Sequence, residues 1–343
     1  MNNNVCLYYR MIWTRGRVYS PFCCYFLCED GGRMDAIAPQ LAAWLEKYNR
    51  LMDAWLEKGV YQTPTTARDG LARLTRSLVT EVPDVALIHD VFVDGPGHAV
   101  PVRVFHPYPD LALPVLMYLH GGGHVAGSVA VFDSICRKIA LATRHLVLAV
   151  EYRLAPEHTY PAGLQDALAV IGGYRRLLTR MGLQYQPRLA LAGDSAGGAM
   201  AATLAHGLQS EGPETISHLV LLYPSLDYTL NLPSVATLAR GYFLETERIR
   251  WFLQQYFQNN EDRRAVSPLF MDVPAGFPPT LIVSAGFCPL RDEALQYVRV
   301  LKNRGVAVRH VHCDDMIHAF LNMESLVPER CRAVYEAMAA FLF

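Results

Sequence analysis

No apolar run in this chain approaches the roughly 18 consecutive residues that a membrane-crossing helix needs, so no span is expected. An excess of charge of either sign is also missing. The 31 Lys and Arg stand against 32 Asp and Glu, a formal net charge of -1, which gives no electrostatic case for nucleic acid or for an anionic membrane surface. Metal-binding spacings of the C-x-x-C or H-E-x-x-H kind are absent, so no metal is expected. The glycine tract at 121–123 lacks both the Lys-Ser/Thr of a phosphate-binding loop and the spacing of a dinucleotide fingerprint. Repeats and low-complexity tracts are lacking too.

Nor do the eight cysteines make a disulfide framework. Cys6, Cys23, Cys24 and Cys28 crowd the N-terminus, while Cys136, Cys288, Cys313 and Cys331 are scattered through the body. Scattered cysteines suit a reducing compartment, where they serve as small core residues, and a cytoplasmic location is expected. Arg10, Arg15 and Arg17 ahead of Pro21 to Cys28 faintly suggest a signal peptide, but that apolar run is short and no small-residue cleavage site follows. Met34 is expected to be the natural start, with residues 1–33 an upstream extension or disordered tail.

What is present is concentrated in a few motifs. Gly193-Asp194-Ser195-Ala196-Gly197 lies between an apolar run, Arg188 to Ala192, and a small-residue helical run from Gly198 to Leu208. That order reads as strand, sharp turn, helix. In such an elbow the serine sits on a strained turn, and glycines two residues either side let neighbouring backbone pass without a Cβ clash. Ser195 is the candidate nucleophile. A serine hydroxyl is weak by itself and needs a base, donors for the oxyanion and a group to orient the base. His120-Gly121-Gly122-Gly123 follows the apolar run Pro114 to Leu119, so a strand ends in a loop rich in exposed amides. The expected oxyanion donors are Gly121, Gly122 and Ala196, the residue after the serine. Chain order of serine, acid, histidine in this architecture points to a histidine near the C-terminus, and His318 fits. His310 and His312 lie in an alternating run, Val306 to His312, that reads as a strand with one solvated face. A metal site from His310, His312, Cys313 and His318 lacks supporting spacing.

These residues together resemble the hormone-sensitive-lipase-like branch (family IV) of the α/β-hydrolase carboxylesterases. The likeness runs from about Ala36 to the end, through HGGG at His120, Glu151 to His158, GDSAGG from Gly193, Ser267-Pro268-Leu269, Pro289 to Glu293 and Met316 to Phe320. It implies hydrolysis of esters with short to medium acyl chains through an acyl-enzyme, with no cofactor. The implied partner is a small-molecule ester, with no nucleic acid and no membrane span; a homodimer is compatible with it. One position departs from the family. Its members carry aspartate as the third catalytic residue just before the Pro-Leu segment, whereas this chain reads Gly286-Phe287-Cys288-Pro289-Leu290, so Cys288 fills the acid slot. Asp292, Asp314 and Asp315 are the candidates to supply the charge instead, and a cysteine oxidised to the sulfinic acid is a further substitute. Smaller departures are Ala319, where glycine is usual, and Glu151, where aspartate is usual. The alternative function is a catalytically weakened ligand-binding protein on the same scaffold, as in plant gibberellin receptors.

The implied fold is α/β: a mostly parallel central sheet with helices on both faces and a helical cap. Residues 34–85 are expected to form N-terminal cap helices, from the helical spacing of apolar residues across Ile37 to Lys58 and Leu71 to Leu78. Residues 86–343 are expected to form the hydrolase domain, with a cap insertion at about 225–265 that includes a helix from Glu245 to Gln258. Trp251, Phe252, Tyr256 and Phe257 on that helix should divide between core and acyl-pocket wall. Strands are expected at Val91 to Phe105 (a hairpin at the sheet edge), Val115 to Leu119, Leu146 to Val150, Leu189 to Ala192, Leu219 to Tyr223, Thr280 to Ala285 and Val306 to His312. The site should sit at strand C-terminal ends.

Overall fold

The computed structural model describes residues 36–343 except residues 60, 96 and 212–215, and the side chains of 209–211. The expectations for residues 1–33 and for the N-terminal cysteines lie outside the described residues. Two helices come first, α1 (Pro39–Glu57) and α2 (Pro64–Leu78). Both begin with proline, whose fixed φ suits the first helical position and whose missing N–H costs nothing there. Thr63 adds a reciprocal cap to α2, its hydroxyl accepting from the Thr66 N–H while Thr66 Oγ1 accepts from the Thr63 N–H.

An eight-stranded sheet follows: β1 (Leu87–Asp94), β2 (Ala99–His106), β3 (Leu113–Leu119), β4 (Leu146–Val150), β5 (Tyr185–Asp194), β6 (Ile216–Leu222), β7 (Thr280–Phe287) and β8 (Val308–Ile317). Its order is β1-β2-β4-β3-β5-β6-β7-β8. β1 pairs with β2 and β2 with β4 antiparallel, and every later pairing is parallel, as the βα alternation implies. The connecting helices are α3 (Asp133–Thr143), α4 (Ala162–Arg180), α5 (Ala196–Glu211), the short α6 (Pro233–Thr237), α7 (Thr246–Tyr256), α8 (Arg291–Asn303) and α9 (Pro328–Leu342).

Both faces of the sheet are covered, which explains why central strands read as continuous apolar runs. Along β3, Val115, Met117 and Leu119 pack with residues of α4, α5 and α8, while Leu116 and Tyr118 pack with α3 and α9. Leu41 and Leu45 of α1 join the second cluster beside Leu238, Leu244, Ile249 and Leu253. Asn49 donates to the Gly241 carbonyl, which ties α1 to the segment before α7.

Strand boundaries differ from expectation in two informative places. β5 starts four residues earlier, at Tyr185, and pairs across a register shift with β3. β8 starts at Val308 and runs five residues past His312, to Ile317. Asp314 and Asp315 masked that extension: on an edge strand, acidic side chains remain at least partly exposed without breaking the ladder. The consequence is that β8 delivers its last residue immediately before His318.

Candidate active site

Four loops at the C-terminal ends of β3, β5, β7 and β8 converge. Ser195 follows β5 with φ 52°, a left-handed conformation that non-glycine residues rarely adopt. Its N–H donates to the Leu222 carbonyl, and its own carbonyl accepts from Ala199 and Ser225. The flanking glycines are required by contact: a Cβ on Gly193 would strike the Gly197 backbone, and one on Gly197 would strike the Leu119 carbonyl. The strained turn therefore persists because the surrounding backbone determines it from several sides.

Ser195 Oγ lies 2.9 Å from His318 Nε2, and His318 Nδ1 lies 3.2 Å from Cys288 Sγ. His318 and Cys288 are buried, whereas Ser195 is half-buried and reachable. Burial pushes the His318 imidazole down to about 3, with no carboxylate beside it to oppose the shift. Burial likewise pushes the Cys288 thiol well up, opposed only in part by the Leu290 N–H that donates to its sulfur. The thiol is neutral at pH 7.

The alternative acids are engaged elsewhere. Asp292 accepts from the Ser234 N–H at 2.8 Å and from Arg291 Nε at 2.9 Å. Asp314 and Asp315 face Arg330 at 3.6 Å and 3.0 Å. Cys288 is thus the side chain that meets His318 Nδ1. Burial of a neutral thiol also makes it a poor target for peroxide, since the thiolate is the reactive species. His310 and His312 do not join this site; both hydrogen-bond Ser284 Oγ at 2.8 Å on the β7–β8 face. Among the described residues no group of three His, Cys, Asp or Glu side chains is placed to hold a metal ion.

The glycine loop requires one correction. The Gly121 N–H donates to Asp194 Oδ1 at 2.7 Å, so it is committed and does not face an oxyanion, contrary to the expectation for that residue. Tyr118 donates to the same oxygen at 2.8 Å. Burial raises the Asp194 carboxyl to about 7 even though both bonds favour its charged form. Spacing alone could not reveal this anchor, because it spans 73 residues between parallel neighbours β3 and β5. Gly122, Gly123 and Ala196 donate no backbone hydrogen bond among the described residues, and Gly122 and Gly123 are half-buried beside the serine elbow. Gly123 was therefore missed by the sequence reading and takes the place given to Gly121. Val125 and Ala126 both donate to the Gly122 carbonyl, closing the turn and leaving its amide side open. A Cβ on Gly122 would run into the Ala126 carbonyl, at φ 122°. Gly122→Ala is accordingly expected to lower kcat for a soluble ester by about 10²-fold, the cost of one oxyanion donor. A kcat within threefold of wild type would remove Gly122 from that role.

The aromatic residues of α7 divide as expected. Tyr256 and Phe257 are buried, Tyr256 stacking on the His124 ring at 3.7 Å between centroids. Trp251 and Phe252 are half-buried, and the Phe252 ring lies directly over Gly123. Tyr223 meets the His318 ring edge-on at 5.1 Å.

A protected serine, an imidazole and unpaired amides on this sheet define a hydrolase of acyl compounds, and comparison with known proteins agrees. A model of the alpha/beta hydrolase fold family matches residues 116–322. Ethyl acetate hydrolase of Pseudomonas putida is 37% identical over 239 residues, covering 68% of this chain and 75% of that protein. Esterase LipI of Mycobacterium tuberculosis is 33% identical over 265 residues, 75% of this chain and 82% of its own. A solved esterase of Pyrobaculum calidifontis superposes with a TM-score of 0.80 at 31% identity, covering 89% of this chain and 98% of its own. The chain belongs to the alpha/beta hydrolase fold family, in its hormone-sensitive-lipase-like carboxylesterase branch. It is a carboxylic ester hydrolase.

Proposed function

We propose that the protein hydrolyses small carboxylic esters through an acyl-enzyme on Ser195, with a cysteine standing where its relatives carry the orienting acid. The observation that carries this reading is the continuous contact from Ser195 through His318 to Cys288, beside the unpaired amides of Gly122, Gly123 and Ala196. His318 Nε2 takes the serine proton as Oγ attacks the carbonyl carbon, and the three amides hold the developing oxyanion. The proton then passes to the leaving alcohol, and water repeats the cycle on the acyl-enzyme.

Cys288 changes the middle of this relay. A carboxylate only accepts from the imidazole, which keeps the proton on Nδ1 and the lone pair on Nε2. A neutral thiol both donates and accepts weakly. When it donates to Nδ1, the proton sits on Nε2 and the histidine cannot act as base. The protein is thus an esterase whose base spends part of its time in an unproductive tautomer and whose imidazolium lacks a counter-charge.

Helices α1, α2 and α7 form the cap in this reading, with α1 packed on the segment before α7 and Phe252 set over the oxyanion turn. A site closed by bulky side chains limits acyl length. Hydrolysis of p-nitrophenyl esters should be fastest for acyl chains of about two to eight carbons, and the purified chain should turn over p-nitrophenyl acetate. A higher kcat/KM on long-chain triglyceride emulsions than on soluble short esters would overturn the substrate range.

A further inference from the structure

We propose that helix α2 is a strap that positions both halves of this machinery, through Arg68 at the oxyanion turn and Thr75 at the turn after the base. The proposal rests on the esterase reading above. Arg68 Nε donates to the Val125 carbonyl at 2.9 Å, and Nη2 donates to the Ala155 carbonyl at 3.1 Å. The remaining face of the guanidinium holds Glu157 by two bonds, at 2.9 Å and 2.5 Å. Val125 and Ala155 are fully buried, and Ala155 itself donates to the His124 carbonyl. Val125 is the residue whose N–H closes the Gly122 turn. Arg68 therefore grips, from behind, the turn that presents the Gly122 and Gly123 amides. The Glu157 ion pair is substantially exposed, so its charge attraction counts for little; the fork geometry shared with two buried carbonyls is what matters.

Seven residues later, two turns along the same helix face, Thr75 Oγ1 accepts from Asn322 Nδ2 at 3.0 Å. Both residues are buried, and Asn322 Oδ1 has no partner, so this bond is the anchor of the Asn322 side chain. The Asn322 N–H closes the turn on the Ala319 carbonyl, and Ala319, at φ 59°, directly follows His318. One helix with a proline start and a reciprocal cap thus spans the two loops whose separation sets how base and oxyanion donors meet a substrate.

The test uses four variants of the full chain: Arg68→Ala, Arg68→Lys, Thr75→Val and Thr75→Ser. Readouts are kcat and KM for p-nitrophenyl acetate, the thermal midpoint, and affinity for a trifluoromethyl ketone. In that complex Ser195 Oγ adds to the ketone carbon, its proton goes to His318, and the former carbonyl oxygen becomes an oxyanion. Arg68→Ala should lower kcat by about tenfold or more with KM within about threefold, and should weaken the ketone by the same factor as kcat. Arg68→Lys should recover only part, since an ammonium cannot serve a carboxylate and two carbonyls at once. Thr75→Val should lower kcat by roughly fivefold and Thr75→Ser should restore it, because the hydroxyl alone is required. Should either alanine or valine variant fail to fold, the lysine and serine variants still decide. Unchanged kcat in folded variants beside an active wild type, or losses that follow the folded fraction, would overturn the strap alone. An inactive wild type would overturn the esterase reading, and the strap with it.

Discussion

Replacing Ser195 with alanine is expected to cut hydrolysis of p-nitrophenyl acetate and butyrate to below about a thousandth of wild type, or ~4 kcal/mol of lost transition-state stabilisation. The thermal midpoint should stay close to wild type. The elbow does not depend on the hydroxyl: its φ of 52° is imposed by Leu222, Ser225 and the glycine contacts, and alanine meets that strain much as serine does. The Oγ–Nε2 contact is the feature removed. Residual activity above about a tenth, under ~1.4 kcal/mol, would mean that Ser195 is not the nucleophile.

Cys288→Asp is expected to raise kcat at neutral pH by at least tenfold. In a serine protease, losing the carboxylate behind the histidine costs ~10⁴ in kcat, and here the structure begins from that loss. Sγ already lies 3.2 Å from Nδ1, and an aspartate reaches one bond further, so the carboxylate can meet the imidazole without moving the loop. Leu290 N–H, which now donates to sulfur, becomes a donor to the carboxylate. The same variant makes a pH prediction. With burial alone acting, the His318 base stays deprotonated far below neutrality, its value being pushed to about 3. A nearby carboxylate favours the imidazolium, so the acid limb of kcat/KM should move to higher pH in Cys288→Asp while the plateau rises. Unchanged kcat with an unmoved acid limb would show that the slot does not act on His318. Abolished activity in Asp292→Ala, Asp314→Ala or Asp315→Ala would place the acid elsewhere.

Much of this was readable in the chain because the decisive residues sit in short, contiguous segments. Ser195 lies in a turn whose glycines are required by backbone contacts, and His318 is reached by chain order along the parallel sheet. Cys288 follows the buried strand Thr280–Phe287, whose apolar run marks it without ambiguity. What sequence did not reveal is pairing across the fold. Which glycine amide of HGGG is free depends on Asp194, and a carboxylate that follows a strand gives no sign of what lies on the neighbouring strand. The roles of Arg68, Thr75 and Asn322 are hidden for the same reason, since each partner lies between 57 and 247 residues away. The end of β8 was missed because two aspartates interrupt its apolar pattern at a sheet edge. Glu293 is a further case: it is buried, accepts from the Leu226 and Asp227 amides, and nothing in its helical setting announces that.

The central claim, an acyl-enzyme on Ser195, is tested most directly by mass spectrometry of the protein after reaction with diethyl p-nitrophenyl phosphate. Serine oxygen attacks phosphorus, p-nitrophenolate departs, and the diethylphosphoryl group stays on the enzyme. The account predicts one such group per chain, on the peptide carrying Ser195, with hydrolysis lost in proportion to labelling and no label in Ser195→Ala. Hydrolysis that continues at full labelling of Ser195, or loss of activity with the label on another residue, would contradict it.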